Sequence, residues 1–414
     1  MGSIKLIAIF TAAVYLIIAA TIVNAYQLFY MAALLLALPG VSYLVGRFAL
    51  RDLEFSREVP GTGWSGETVT FTLTVRSRSR LPRLFLQAHD DLPRFLRLAD
   101  SAPPHFHAAP GGATHVPYEV QLLKRGAYTI PGLTVSAVDP LGMFTFRTRV
   151  PLESEMLVYP MPEEIGDMVL SGAERYGSRD LPIAAARGSG VDPDGVREYV
   201  PGDPLRRMHW KSVARTGKLS VIEFEESRAL NVVLVLDLHS GTDVGEAAET
   251  TIEYLVRAAA SIAQLAVRQG ASVRLVRSDE PDPAQSPGRG TEHLFLILAS
   301  LARAEANDSE PLSARLVQRV GVLQPGTTLM VLTADADPNL PGALAHYTSG
   351  GAQVFVLYAD ALAFGRAPHL TRQAQAVFLE GLYAARTAPS VLRRSPDGRL
   401  RPETAQNAGY FTAT

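Results

Sequence analysis

Two acidic clusters in the second half of the chain contain residues that could bind a metal ion or act in catalysis. The first, at the end of the apolar run 231–238, contains Asp237 and Ser240, and the second follows the run 327–333 and contains Asp335. If both runs are parallel strands of one sheet, their carboxyl ends lie at the same edge, where open α/β sheets bind ligands. Carboxylate and hydroxyl oxygens suit a hard cation such as Mg²⁺. The sequence therefore predicts a candidate metal site formed by Asp237, Ser240 and Asp335.

The same region allows an enzymatic alternative. Asp237, His239 and Asp335 could provide a nucleophile and an acid or base for a membrane-bound, metal-dependent hydrolase or phosphotransferase. However, position 239 is His where a D-x-D motif needs Asp, and the chain has no G-x-S-x-G nucleophile elbow. A third interpretation gives Asp237 and Asp335 local roles, capping helices or accepting hydrogen bonds from loop amides. The sequence favours a protein that is not an enzyme, with the hydrolase as the alternative.

Alternating strands and helices are predicted around these clusters. Continuous apolar runs indicate buried parallel strands, and segments with apolar residues at helical spacing lie between them. This alternation predicts a doubly wound α/β domain over residues 231–388, followed by a loose polar tail at 389–414. The predicted strands are 231–238, 272–276, 327–333 and 352–358, and the predicted helices end at Gly270 or lie near 293–304, 311–320, 339–348 and 369–386.

Residues 48–158 have the pattern of an all-β domain. The segment TVTFTLTV at 68–75 alternates Thr with apolar residues, which is the period of a strand with one buried face. Pro-Gly and related pairs separate further strand candidates at 115–123, 128–138 and 143–150. Roughly seven short strands in this length predict a β-sandwich.

The N-terminal region predicts two transmembrane helices within residues 1–47. The 41 residues from Leu6 to Gly46 include no Asp, Glu, Lys or Arg, and one membrane span needs about 20 apolar residues. Lys5 precedes the apolar region and Arg47 follows it, with further cations at Arg51 and Arg57 and none between the two spans. The positive-inside rule then places both ends, and the bulk of the chain, in the cytoplasm.

A cleaved signal peptide over residues 1–25 is an alternative for the first apolar segment, because Val23-Asn24-Ala25 resembles a cleavage site. In that case the second segment would still span the membrane and deliver the following residues to the cytoplasm. Both interpretations predict a protein of the cell membrane, and the first makes it a two-span protein.

Composition narrows the classes of function. The net charge of −2 provides no general attraction for nucleic acid or for membrane phosphates. The chain has no Cys, which excludes disulfides and thiolate catalysis. Hydrophobic residues make up 47% of the chain, enough for sizeable cores in more than one domain.

A dense motif, REYVPGDPLRRMHWKSVARTGKL, occupies residues 197–219 within a connecting region predicted at 159–230. Asp203 followed by Pro is typical of a helix start, and Gly217 is placed to end that helix in a left-handed conformation. The neighbouring carboxylates up to Glu226 reduce the local charge to +1, which argues against a nucleic-acid site. Trp210 is predicted to be a buried packing residue at the junction of the two domains.

This motif resembles the signature of a bacterial family known as domain of unknown function 58. A second similarity is RGAYTIPGLTVSAVDPLGMF at 125–144. The family resemblance implies a membrane-anchored, cytoplasm-facing protein with a von Willebrand factor A-like domain, acting with MoxR-type AAA+ ATPases in chaperone-like assembly or maturation. The main signature residues are Arg197, Tyr199, Gly202, Asp203, Trp210, Arg215 and Gly217.

The resemblance to von Willebrand factor A domains bears on the candidate metal site. Their metal-ion-dependent adhesion site begins D-x-S-x-S; Asp237 matches the Asp, but His239 and Gly241 occupy the two Ser positions and Ser240 lies between them. Asp335 matches a late Asp. The resemblance thus implies at most a degenerate Mg²⁺ site, and a non-enzymatic adaptor that binds a protein partner is the leading interpretation.

Overall fold

The structure is a computed structural model that describes residues 2–100, 102–164, 186–199, 208–226, 231–279, 286–367, 370–395, 397–405 and 410. The chain forms two compact units, Met1–Tyr159 and Pro160–Thr414. Each unit has its own sheets and its own buried core.

The first unit begins with two long apolar helices, α1 (Gly2–Val23) and α2 (Tyr26–Ala49). Their apolar stretches have mean hydropathies of 2.6 and 2.0, and both are long and apolar enough to span a membrane. Only 11% of each stretch is buried within the described part of the protein, and most of the other residues of the two helices are exposed. The predicted pair of apolar helices is confirmed, whereas their insertion in a membrane stays a prediction.

Nine strands follow in two sheets. The first sheet has the order β1-β3-β7-β5 and the second β2-β9-β8-β4-β6, and neighbouring strands are antiparallel except for β2 and β9. The bounds are β1 (Leu53–Glu58), β2 (Thr62–Trp64), β3 (Thr68–Ser77), β4 (Arg83–Asp90), β5 (Leu96–Leu98), β6 (His105–Ala108), β7 (Ala113–Leu122), β8 (Gly126–Val138) and β9 (Thr145–Tyr159).

The alternating sequence of β3 explains how the two sheets meet. Leu73 and Val75 are buried while Thr74 between them is only half-buried, because successive side chains of a strand point to opposite faces. These two residues share one core cluster with Leu86 of β4 and with Leu133 and Val135 of β8. The inner faces of the two sheets therefore pack over a common core.

The second unit contains two two-stranded sheets and a six-stranded sheet. One two-stranded sheet pairs β10 with β11, with helix α3 between them in the chain, and the other pairs β13 with β14. The six-stranded sheet has the order β15-β12-β16-β17-β18-β19, with parallel pairs except for the last. The bounds are β10 (Ala186–Glu198), α3 (Trp210–Thr216), β11 (Ser220–Glu226), β12 (Asn231–Leu236), β13 (Gly245–Glu246), β14 (Glu249–Thr250), α4 (Thr251–Arg268), β15 (Ser272–Arg277), α5 (Gly290–Ala302), α6 (Leu312–Val320), β16 (Thr328–Thr333), α7 (Leu340–Ser349), β17 (Gln353–Ala359), α8 (Ala361–Phe364), α9 (Arg372–Ala384), β18 (Ala388–Leu392) and β19 (Pro402–Thr404).

Helices cover both faces of the central strands, which accounts for their continuous apolar sequences. Val233 and Val235 of β12 belong to a core cluster that also includes residues of α6, α7 and α9. Leu234 and Leu236 alternate with them and are equally buried, so they point to the opposite face, on which α4 packs. A strand buried on both faces needs no polar residue at alternate positions.

The predicted domain boundary at residue 388 is corrected, because the sheet continues beyond it. Strands β18 and β19 extend the parallel sheet, and Val391 and Leu392 are buried at its edge. Ala405 also enters the core. The segment 389–414 is therefore not a loose tail over the part that the structure describes.

The connecting region predicted at 159–230 also differs from expectation. Its residues Ala186–Glu198 form strand β10, which pairs antiparallel with β11 and shifts register between Gly188 and Pro193 and between Pro193 and Gly195. Register shifts of this kind accommodate Gly and Pro in a strand. The sequence pattern missed β10 because backbone pairing there is not accompanied by alternating apolar residues.

Candidate functional site

The strand order of the six-stranded sheet creates a crevice beside Asp237. From β12 the chain goes to its neighbour β15 on one side and then crosses to β16 on the other side. At such a switch point, the connections leaving the two central strands run in opposite directions and leave a crevice at the carboxyl ends, where ligands of open α/β sheets bind. Asp237 follows β12, and Asp335 follows β16 by two residues.

Asp237 is buried at this crevice, with 1% of its surface exposed. Its Oδ2 accepts a hydrogen bond from the Thr333 hydroxyl at 2.6 Å, and its Oδ1 accepts one from the His239 N–H at 3.2 Å. Burial raises the pKa of Asp237 to about 6, and the charge of Asp335 adds to that rise, while the hydrogen bond from Thr333 partly offsets it. Asp237 therefore titrates closer to neutral pH than an ordinary Asp.

His239 and Asp335 form a second pair in the same crevice. The distance from His239 Nδ1 to Asp335 Oδ2 is 3.1 Å, and about a quarter of each side chain is exposed. Burial raises the pKa of Asp335, and the neighbouring His239 lowers it in part. The Asp335 N–H donates to Thr333 Oγ1 at 2.9 Å, so one hydroxyl links the two carboxylate residues. The role of Thr333 was missed, although its position as a polar residue ending an apolar strand was a signal.

Ser240, the third predicted metal ligand, is arranged differently. It begins a single 3-10 turn and is exposed. Its backbone N–H donates to the Asp308 carbonyl at 2.8 Å, and the Asp308 N–H donates to the Leu238 carbonyl at 3.0 Å. In the part of the chain that the structure describes, the Ser240 side chain hydrogen-bonds to neither Asp237 nor Asp335. Asp308 was missed because it lies in a polar loop without a repeating pattern.

The donor set does not match an open Mg²⁺ site. Mg²⁺ needs oxygen ligands in near-ideal octahedral geometry, but both oxygens of Asp237 already accept hydrogen bonds from Thr333 and His239. Among the described residues, no group of three or more His, Asp or Glu side chains could hold a metal ion. These hydrogen bonds compete with an ion for the oxygens of Asp237, and the predicted Mg²⁺ site stays a prediction.

A neighbouring strand end carries a further buried carboxylate that sequence reasoning missed. Asp360 follows β17 and accepts hydrogen bonds from the Gln375 side-chain amide at 2.8 Å and from the Tyr410 hydroxyl at 2.5 Å. Arg393 lies 3.4 Å away and, with Arg372, lines an adjoining cavity of about 520 Å³. The signal was an apolar run followed by Asp, the same pattern that ends β12. Because its oxygens accept hydrogen bonds from Gln375 of α9 and from Tyr410, Asp360 links the end of β17 to both.

The described residues of the 197–219 motif lie in β10, α3 and their connections. Tyr199 and His209 donate their backbone N–H groups to the carbonyls of Leu219 and Ser220, at 2.9 Å and 2.8 Å. The helix ends at Gly217 with a φ of 69° in the left-handed region, as predicted. It begins only at Trp210, because the residues before it pair with β11. Arg197 lies in β10, and the predicted helix start at Asp203, with Gly202, falls outside the described residues.

The prediction that Trp210 is buried is wrong. Trp210 is 65% exposed. Met208 and Val221 form a bridge between their backbones and are only 7% and 3% exposed, so they occupy the protected positions of this segment. Lys211 and Arg215 on the same helix are exposed as well. The signature therefore presents an aromatic side chain and two cations to solvent.

The chain is a protein of two units, with two apolar helices and facing sheets in the first and a switch-point crevice in the second. Comparisons with known proteins show what it is similar to. Residues 195–335 match the model of a family described as "Protein of unknown function DUF58". That range includes the signature from Arg197 onward and the crevice residues up to Asp335.

Two curated relatives are similar to this chain, and both are uncharacterized. YeaD of Bacillus subtilis (strain 168) is 26% identical over 292 residues, which cover 69% of this chain and 71% of YeaD. Rv1480 of Mycobacterium tuberculosis (strain ATCC 25618 / H37Rv) is 32% identical over 116 residues, which cover 28% of this chain and 37% of Rv1480.

Among solved structures, a fragment of Escherichia coli alpha-2-macroglobulin from domain MG7 to the C-terminus is similar over 26% of this chain and 16% of its own. The identity is 22% and the TM-score is 0.22, too low to support an argument about fold or function.

Proposed function

We propose that this chain is a membrane-anchored, non-enzymatic adaptor or assembly factor that acts through protein–protein contacts. The two apolar helices are its anchor, and the cations at Lys5, Arg47 and Arg51, with none in the connection, favour a cytoplasmic location for both units. In this proposal the facing sheets are a β-sandwich that acts as a spacer. The six-stranded sheet belongs to a von Willebrand factor A-like binding domain.

The exposure of Trp210 is the observation that carries this proposal. A large aromatic side chain that is 65% exposed contributes little to the stability of its own unit. Trp and Arg are enriched among the residues that dominate the energy of protein interfaces. Trp210 has Lys211 and Arg215 beside it on α3, and this combination favours a partner surface that is apolar at its centre and acidic around it.

The resemblance to the family supports a MoxR-type AAA+ ATPase as the partner. The family model covers the segment that presents Trp210. We propose that the ATPase docks on α3 and that the membrane anchor holds the complex at the cell membrane.

The test is co-purification of the ATPase with the full chain from membranes, using Trp210→Ala. Loss of a central interface residue costs about 2 kcal/mol or more, so we expect binding to weaken by roughly 30-fold. Val322→Ala is the matched control, because Val322 is an apolar residue of the same unit that is 99% exposed. Binding by Trp210→Ala at the level of the unaltered chain would contradict the proposal. Lost binding together with a lower melting temperature would assign Trp210 a structural role.

The metal-dependent hydrolase or phosphotransferase remains the second candidate, because a carboxyl group with a raised pKa lies beside a His–Asp pair at a ligand-binding edge. It predicts turnover of a phosphate ester by the full chain with Mg²⁺ or Mn²⁺ that is lost in Asp237→Asn. Equal turnover by the unaltered chain and by Asp237→Asn, or none by either across a panel of phosphate esters, would eliminate it.

A further inference from the structure

Exposed apolar side chains in the β region of the first unit are concentrated at one end. In the described residues from 50 to 159, five large apolar side chains are exposed: Leu81, Leu84, Phe85, Leu123 and Leu141, at 67%, 46%, 47%, 42% and 38%. All except Leu123 lie where α1 begins and α2 ends. An uneven distribution of this kind marks an interaction surface.

Three hydrogen bonds to backbone carbonyls join this end of the β region to α1 and to the segment after α2. The Lys5 Nζ, in the first turn of α1, donates to the carbonyls of Leu141 and Gly142 at 2.9 Å and 3.3 Å. The Arg78 N–H donates to the carbonyl of Asp52, three residues after α2, at 2.9 Å. Phe85 and Leu141 also share with Lys5 the lining of a cavity of about 390 Å³. The exposed apolar residues therefore adjoin the ends of both apolar helices.

The turn at 139–144 holds this arrangement together. The Ser42 hydroxyl of α2 donates to the Asp139 carboxylate. The same carboxylate accepts the Met143 and Phe144 N–H groups at 2.6 Å and 2.5 Å. The Tyr43 ring packs edge-on against the ring of Phe144, with centroids 5.5 Å apart. These contacts hold the turn against α2. The exposed residue Leu141 within the turn therefore keeps a fixed position relative to the end of α2.

An irregularity in β4 exposes two consecutive apolar residues. A regular strand would turn Leu84 and Phe85 to opposite faces and hide one of them. The pairing of β4 with β6 shifts register between Arg83 and Leu86, and Phe85 has a φ of 57°, in the left-handed region that few residues other than Gly adopt. Irregularities of this kind redirect side chains. Both residues therefore point outward.

The charge of the segment 78–85 is entirely positive. Its sequence, RSRLPRLF, holds three Arg and no carboxylate. Arg78 pairs with Glu54, whereas Arg80 is exposed and forms an ion pair with no described residue. Arg83 is half-buried. Cations interleaved with exposed Leu and Phe are the composition of a surface that lies in the headgroup region of an anionic membrane.

We propose that residues 78–85 together with Leu141, the 78–85 patch, contact the membrane surface directly. The patch inserts Leu81, Leu84 and Phe85 among the headgroups and binds anionic lipid phosphates through Arg80 and Arg83. This inference rests on the membrane anchoring proposed above, because that anchoring brings the patch to the bilayer. It gives the first unit two attachments to the membrane, which fix the tilt of its sheets.

The absence of Cys from the chain allows a direct test. The full chain with Leu81→Cys carries a single nitroxide label and is placed in nanodiscs of phosphatidylcholine and phosphatidylglycerol. We expect the ratio of oxygen to aqueous nickel-chelate accessibility to be at least about threefold higher at Leu81 than at the control Leu123→Cys. Leu123 is suitable because it lies at the other end of the β region from the patch. Gln121, two residues before Leu123, pairs with Thr68 at the start of β3, whereas Arg76, just before the patch, pairs with Ala113 at the end of β3.

A label at Ile18→Cys, within α1, separates the two proposals. If the Ile18 label is in lipid and the Leu81 label is as aqueous as Leu123, the 78–85 patch does not contact lipid and the inference is overturned, while anchoring stands. If the Ile18 label is also aqueous, the anchoring itself is overturned. Lipid exposure of both labels, at Ile18 and at Leu81, supports both the membrane anchoring and the lipid contact of the 78–85 patch.

The anionic-lipid part has its own test. Arg80→Glu combined with the Leu81→Cys label should lower the accessibility ratio at Leu81 by about twofold or more in discs with phosphatidylglycerol, with little change in discs of phosphatidylcholine alone. A ratio unaffected by either Arg80→Glu or lipid charge would overturn phosphate binding by the patch.

Discussion

Asp139 in the first unit and Asp237 in the second are both nearly inaccessible to solvent, at 3% and 1% exposure, yet their pKa values move in opposite directions. Burial favours the neutral form at both sites. At Asp139, hydrogen bonds from Ser42 and from three backbone N–H groups outweigh burial and lower the pKa below its ordinary value. At Asp237, one hydroxyl and one N–H donate while Asp335 repels, so the pKa rises to about 6.

The difference shows that desolvation and the number of donors together decide the pKa of a buried carboxyl group. With four donors, Asp139 stays ionised and acts as a fixed structural charge that joins a turn to α2. With two donors and a like charge nearby, Asp237 can change protonation near neutral pH, which is the usual property of groups at functional sites.

The largest effect is expected from Asp139→Ala. The change leaves the N–H groups of Leu141, Met143 and Phe144 without their acceptor in a partly buried turn, and each unsatisfied buried group costs about 1–3 kcal/mol. We expect the first unit to lose about 3–5 kcal/mol of unfolding free energy. Hydrogen-exchange mass spectrometry of the full chain in nanodiscs measures the two units separately.

Ser42→Ala is the control for this prediction. It removes one of the four donors and leaves the carboxylate in place, so we expect a loss of about 1 kcal/mol. Equal, small effects of Asp139→Ala and Ser42→Ala would contradict the structural role of Asp139. Asp237→Ala, which lies in the other unit, should leave exchange in the first unit unchanged.

The second prediction concerns how stability depends on pH, and the dependence has opposite signs for Asp237 and Asp139. The folded pKa of Asp237 is about 6 and its ordinary value is 3.8, so between these values the folded state holds more protons than the unfolded state. The stability of the second unit should therefore fall as pH rises from about 4 to about 6 and then level off. A shift of about two units corresponds to roughly 3 kcal/mol.

In Asp237→Asn, position 237 does not titrate, so the loss of unfolding free energy between pH 4 and pH 6 should be smaller by on the order of 2–3 kcal/mol. Asp139 contributes stability that is present above its unfolded pKa and is lost only as pH falls through its lower folded pKa. Unfolding followed by hydrogen exchange, corrected for the intrinsic effect of pH, measures both units. The same slope in the unaltered chain and in Asp237→Asn between pH 4 and 6 would refute the assignment to Asp237.

Much of the fold of the second unit could be predicted because burial leaves a pattern in the sequence. The interiors of strands β12, β16 and β17 are apolar since helices cover both faces, and α4 has an apolar stripe ending near Gly270. Strand β10 left no such pattern. Its residues include G-S-G-V-D-P-D-G, which has no alternating apolar pattern, yet it pairs with β11 along its length.

Residues acting through distant partners were the hardest to predict. His239 and Asp335 are separated by 96 positions, and only the sheet order brings them together. Arg57 illustrates the opposite error. It was counted among the cations that flank the membrane spans, but it lies in the core, 2.6 Å from Asp90. A count of charges along the sequence cannot separate a buried cation from an exposed one. In the same way, residue type alone predicted Trp210 to be buried, whereas it is 65% exposed.

A smaller effect is expected from Thr333→Val, which keeps the shape of the side chain and removes the hydroxyl that joins Asp237 to Asp335. Loss of a hydrogen bond to a charged group costs about 1.5 kcal/mol or more, and the pKa of Asp237 should rise further. The destabilisation should therefore be larger at pH 7 than at pH 4. Thr328→Val, at the other end of β16, is the control and should change stability by less than about 0.5 kcal/mol.

The smallest effect is expected from Mg²⁺. A bound ion raises the melting temperature of the folded state by mass action. Because both oxygens of Asp237 already accept hydrogen bonds from the chain, we expect about 10 mM Mg²⁺ to shift the melting temperature by less than about 1 °C. An increase of several degrees that disappears in Asp237→Ala would instead establish the metal site. In that case Thr333→Val, by freeing one carboxylate oxygen, should strengthen Mg²⁺ binding, whereas a purely structural Asp237 would show no response to the ion in either variant.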